Sequence, residues 1–128
     1  MKRCFMFLSA VTLLAVLCGC PMFNDATFVF SNTMNVDPSI SDNYKVTSIQ
    51  FQGPTDADYG PNQLDEGKTI DPGKSKTFFL DTQGNPGDWQ VKIQYNLYVV
   101  VTMTSLPAYQ RIEAVTAGQE YTWNWSIL

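Results

Sequence analysis

The sequence predicts an all-β domain: a single antiparallel β-sandwich of about seven strands, preceded by a short apolar helix at the N-terminus. Three observations carry that reading. Apolar and polar residues alternate with a period of two in segment after segment. Turn formers punctuate the chain at short intervals: Asn32, Pro38, Gly53-Pro54, Gly60-Pro61, Pro72-Gly73, Gly84-Asn85-Pro86-Gly87, Pro107 and Gly118. No stretch beyond residue 20 shows a 3.6-residue period with caps. The chain of 128 residues suits one domain. With 45% hydrophobic and 16% charged residues, it has enough apolar content for a packed core.

The N-terminal helix comes first. Lys2 and Arg3 give a positive start, and Phe5 to Leu17 are apolar apart from Ser9 and Thr12. Such a run makes a helix of roughly 20 Å, whereas a spanning helix needs about 20 residues. It is short for a permanent span and suits a removed export signal. Small residues close it: Leu17-Cys18-Gly19-Cys20. This resembles the lipobox of bacterial lipoproteins, with Cys18 where the family usually has Ala, Ser, Thr or Val. The resemblance implies cleavage between Gly19 and Cys20 and a diacylglycerol on the Cys20 thiol. It also implies an acyl chain on the new amino terminus. Residues 1–19 are then a removed signal peptide, 20–25 the lipidated Cys and a short tether, and 26–128 the sandwich. The expected location is the bacterial cell membrane or outer membrane, lipid-anchored and facing the periplasm or exterior. Two or more acyl chains hold stably where one does not.

Seven segments read as strands: "ATFVFS" (26–31), "YKVTSIQFQ" (44–52), "KTFFLD" (76–81), "WQVKIQY" (89–95), "LYVVVTMT" (97–104), "YQRIEAVT" (109–116) and "TWNWSIL" (122–128). In the last, Trp123, Trp125 and Ile127 fall with Tyr121 on one face. In "WQVKIQY", Trp89, Val91, Ile93 and Tyr95 alternate with Gln90, Lys92 and Gln94. "LYVVVTMT" is almost wholly apolar or β-branched, as in a strand buried on both sides. Aromatic faces of this kind need a second sheet about 10 Å away, which makes an Ig-like or transthyretin-like sandwich the expected form. Several positions also resemble a small bacterial β-sandwich family: "SNT" (31–33), "VTSIQF" (46–51), "DYG" (58–60), "TIDPGKSKTFF" (69–79) and "GDWQVKIQY" (87–95). Ile70 stands where that pattern has Leu. The family implies a fold and a secreted setting, with no activity attached.

Chemistry is sparse. The chain has no histidine, and its three cysteines are Cys4, Cys18 and Cys20. A Ser-His or Cys-His nucleophile is therefore excluded from the expected mature chain. In "GKSK" the neighbours Lys74 and Lys76 point away from Ser75 in a strand, so a solvated strand start is expected there. From residue 20 onward six basic and twelve acidic side chains leave a net charge of −6, which argues against nucleic acid. The loop from Gly53 to Gly73 carries Asp56, Asp58, Asp65, Glu66 and Asp71. Asp56-x-Asp58 starts like a calcium loop, but Gly60 breaks the spacing. A solvated acidic loop is the expectation, and calcium at Asp56, Asp58, Asp65 and Glu66 the lesser alternative. A glycosidase carboxylate pair would need a deeper cleft than a domain this small provides. Trp89, Trp123, Trp125, Tyr95 and Tyr121 are expected in the core rather than on a sugar platform. Tyr59 and Tyr109, beside Gly60 and Pro107, are the candidate contact residues. The expected contact surface is a loop set at one end: Asn32 to Asn43, Gly53 to Gly73 and Gly84 to Gly87.

The sequence thus predicts a non-enzymatic envelope protein that works through protein or surface contacts and carries no cofactor beyond its lipid. Its partners would be the membrane and an envelope protein. The alternative is a module that binds carbohydrate or calcium.

Overall fold

The computed structural model describes residues 24–36, 43–99 and 102–127, and among them it is all-β without a helix. Six strands form: β1 (Asp25–Asn32), β2 (Val46–Gln52), β3 (Ser75–Asp81), β4 (Gly87–Val99), β5 (Thr102–Val115) and β6 (Glu120–Trp125). They make two three-stranded sheets, ordered β3-β1-β6 and β2-β4-β5. The expected signal helix, the cleavage site Gly19/Cys20 and most of the tether lie outside the described residues.

Alternation builds each sheet. Every second residue of β1 is buried: Ala26, Phe28, Phe30 and Asn32. From β3 come Phe78 and Leu80, and from β6 Trp125. The other sheet contributes Val46, Ile49 and Phe51 from β2, and Trp89, Val91 and Ile93 from β4. Apart from Asn32, these side chains belong to one hydrophobic cluster. Aromatic contacts join the two sheets directly: Phe51 meets Phe28 at 5.5 Å and Phe78 at 5.4 Å between ring centroids, and Tyr95 meets Trp125 at 4.8 Å. Trp123 and Tyr121 pack against the same cluster. Burial of aromatic area on this scale is what holds a two-sheet domain whose strands contain no cysteine.

Two expectations need correction. The first is the separate strand at "LYVVVTMT". Its residues are split between the end of β4 and the start of β5, where Val99 pairs with Thr102 in an antiparallel hairpin. The two strands run 13 and 14 residues, so seven expected segments become six strands among the described residues. The run is not buried on both sides, since Tyr98 is 46% and Met103 37% exposed. An apolar β-branched run fits a hairpin arm as well as a buried strand, and Pro107, read as a turn, sits inside β5 opposite Gln94. Proline is tolerated there because β5 is an edge strand. The second correction concerns direction. Most pairs are antiparallel, but β1 and β6 are parallel, with Phe28 beside Tyr121 and Phe30 beside Trp123.

Polar groups lock the ends. Asn32 is 1% exposed, yet its amide donates to the carbonyls of Tyr44 (2.7 Å) and Ile70 (2.9 Å) and accepts the Met34 N–H (3.2 Å). At the opposite end the Thr82 hydroxyl and N–H both donate to the Asn24 carbonyl, at 2.6 and 2.7 Å. Charge is uneven between these ends. Asp25, Asp81, Asp88 and Glu120 sit where β1, β4 and β6 begin and β3 finishes, with Asp56 just past β2. Lys45, Lys74 and Lys76 sit at the other end, near Asn96 and Asn32.

Candidate contact face

The outward-facing residues of β2, β4 and β5 form cross-strand rows. One row is Gln50, Lys92 and Tyr109; its neighbours are Gln52, Gln90 and Arg111, and Ser48, Gln94 and Pro107. The result is a polar face dominated by amides, with Tyr109 58% exposed.

Tyr59 reaches this face from the long loop, and the loop's path explains how. After β2 the chain doubles back along the β2 edge. The Gly60 N–H donates to Phe51 O (2.9 Å), the Gln63 N–H to Ile49 O (2.8 Å), and Val46 and Ile70 exchange bonds. Asn62 mimics a strand partner: its Oδ1 accepts the N–H groups of Ile49 and Leu64, each at 3.0 Å. Leu64 and Ile70 pin the loop into the core at 6% and 3% exposure. The Gln50 amide donates to Gly60 O (2.9 Å), which sets the position of the neighbouring Tyr59. The two tyrosines singled out from the sequence therefore meet, with ring centroids 6.4 Å apart, and the Lys92 ammonium lies 5.9 Å from the Tyr59 ring. Burial pushes the Tyr59 phenol above its usual pKa, and the nearby Tyr109 phenol adds to the shift. A half-buried aromatic pair flanked by amides and an ammonium can stack on a planar or apolar group and donate hydrogen bonds around it. Lys92 and Gln50 were not singled out from the sequence, because only the strand register places them beside the tyrosines.

The acidic loop is organised by its own backbone. The Asp56 carboxylate accepts the Gly53 N–H at 2.9 Å, and Asp71 accepts the Thr69 hydroxyl at 2.5 Å. Among the described residues no three carboxylates are grouped to hold a metal ion, so Asp56, Asp58, Asp65 and Glu66 are not brought together.

The expected single-ended loop set is divided. Gly53 to Asp56 meets the turn Gln83 to Pro86 around a cleft of about 190 Å³ floored by Trp89. Residues 33–36 and 43–45 lie at the other end, beside Ile70 and Gly73. The reason is that the 53–73 segment runs the length of the β2 edge. A second cleft of about 240 Å³ lies against Phe51, Phe78 and Trp89. The buried Trp89 indole N–H meets no acceptor among the described residues.

Compared with known proteins, the chain matches no family model, no curated protein and no solved structure.

Proposed function

We propose that the chain is a lipid-anchored, non-catalytic protein of the bacterial envelope, working through contacts made by its folded domain. The observation that carries this reading is the sequence Leu17-Cys18-Gly19-Cys20, which ends an apolar run five residues before β1 begins at Asp25. We read the two sheets as a sandwich of the Ig-like or transthyretin-like kind, supported by the aromatic contacts between them. The contact residues are Tyr59, on the loop after β2, and Tyr109 of β5, with Lys92 of β4 beside both. The partner is an envelope protein. Cys20→Ala should release the protein from membranes; retention of the variant after a carbonate wash would refute the anchor. Tyr59→Ala/Tyr109→Ala should leave the protein on the membrane and remove its dominant cross-linked partner.

One observation favours a second reading. The tyrosine pair is bordered by Gln50, Gln90 and Gln94 on a single sheet face, an arrangement suited to stacking on and hydrogen bonding a sugar ring. A glycan panel that binds the wild type but not Tyr59→Ala/Tyr109→Ala would select it.

A further inference from the structure

Each sheet has two outer strands, and three of the four edges are guarded. The β2 edge is covered by residues 60–70 through main-chain hydrogen bonds. The β3 strand is seven residues long and carries Lys76 and Asp81. The β6 strand is six residues long and begins with Glu120. Short strands, charges and covering loops are the standard means of stopping edge-to-edge pairing.

The fourth edge is β5, and its two halves differ. From Pro107 onward it holds a proline, Arg111, Glu113 and a bulge: Gly87 pairs with Val115 and Trp89 with Ile112, leaving an extra residue opposite Asp88. From Thr102 to Leu106 it has none of these. The sequence there is Thr-Met-Thr-Ser-Leu, and no charged residue occurs anywhere between Lys92 and Arg111. Among the described residues no strand pairs with this side of β5. Met103 is exposed in the same segment.

We infer that Thr102–Leu106 pairs with the same segment of a second copy, antiparallel about Thr104. An extended strand that carries no charge and lacks an edge guard of its own fits this edge. The described part of the molecule offers one such segment, and it is this one. Two-fold pairing sets Thr104 opposite Thr104, and Met103 opposite Ser105 of the other copy on the same sheet face. Directly opposed Thr–Thr pairs are favourable. The closed pairing uses both exposed edges and leaves none for further growth. The two domains would then share a continuous six-stranded sheet. This deepens the contact function proposed above by naming the chain itself as a partner.

The test uses the full lipidated chain in detergent, with mass read by sedimentation equilibrium at micromolar concentration. The wild type should sediment at twice the mass of the single chain. Met103→Lys/Ser105→Lys opposes like charges across the axis and should sediment as a monomer. Met103→Lys/Ser105→Glu opposes Lys to Glu twice and should restore the dimer. A monomeric wild type overturns the proposal, as does a Lys/Lys variant that stays dimeric or a Lys/Glu variant that stays monomeric. So does a complex of one chain with a foreign polypeptide in place of the second copy. Membrane retention is read separately through Cys20, so a monomeric wild type with retention intact refutes the pairing alone.

Discussion

Asn32 supplies side-chain partners to main-chain groups that lie outside the strands. Its amide serves the carbonyls of Tyr44 and Ile70, and its oxygen serves the Met34 N–H. Its own main chain bonds Lys74 and Gly73. Removing one partner from a buried hydrogen bond leaves the other unsatisfied at a cost of about 1–3 kcal/mol. Asn32→Ala should therefore destabilise the protein by roughly 2–4 kcal/mol, read from urea denaturation. Asp88 is the opposite case, an exposed group. Its carboxylate accepts the Ala114 N–H at 3.0 Å and pairs with Arg111. The Ala114 N–H first, and Arg111 second, hold its pKa below the usual carboxylate value. A folded pKa below the unfolded value means that the stabilising contribution is present above the unfolded pKa of about 3.9. It is lost as pH falls through the lower folded value. Asp88→Asn should lower the melting temperature at neutral pH, and its deficit relative to wild type should shrink on acidification. A deficit constant down to strongly acid pH would remove Asp88 from the account.

At the scale of the element, the β5 bulge has a built-in misfit. Ala114 has φ of 53°, in the left-handed region where a Cβ is unfavourable. Ala114→Gly should stabilise the fold by up to about 1 kcal/mol, measured as a rise in melting temperature. The hairpin bearing that bulge also marks what sequence could and could not reveal. "WQVKIQY" and "TWNWSIL" were legible because one face is buried and the other solvated, so alternation appears in the letters. Residues 97–104 were misread because their connection lacks Gly, Asn or Asp and their composition mimics a buried strand. Tyr59 and Tyr109 were legible singly from their neighbours Gly60 and Pro107. Their meeting was not, since it depends on the Lys92–Tyr109 register and on a loop that follows the β2 edge. The same loop path divided the expected loop set between two ends.

The whole molecule depends on contacts between its sheets. Phe51 from one sheet touches Phe28 and Phe78 from the other. Phe51→Ala should cost about 3–5 kcal/mol, because the cavity opens at the junction of both layers. Unfolding should remain a single transition by fluorescence and far-UV circular dichroism, since one cluster serves both sheets. Two separated transitions in the wild type would show that the sheets unfold independently.

The unequal distribution of charge acts on the domain as a rigid body. The pole bearing Asp25, Asp56, Asp81, Asp88 and Glu120 is the one from which β1 starts, and Lys45, Lys74 and Lys76 mark the other. In a chain held at Cys20, five residue steps of at most about 3.6 Å each keep Asp25, at the acidic pole, within roughly 18 Å of the lipid attachment. The domain is then an electric dipole hinged at its negative end. An anionic headgroup layer attracts the far, lysine-bearing pole and draws the domain down toward the surface, within a Debye length of about 8 Å at physiological salt. A cationic layer would repel that pole and stand the same molecule upright, carrying the β4–β5 arm, about 40 Å long at roughly 3.4 Å per residue, outward as a mast.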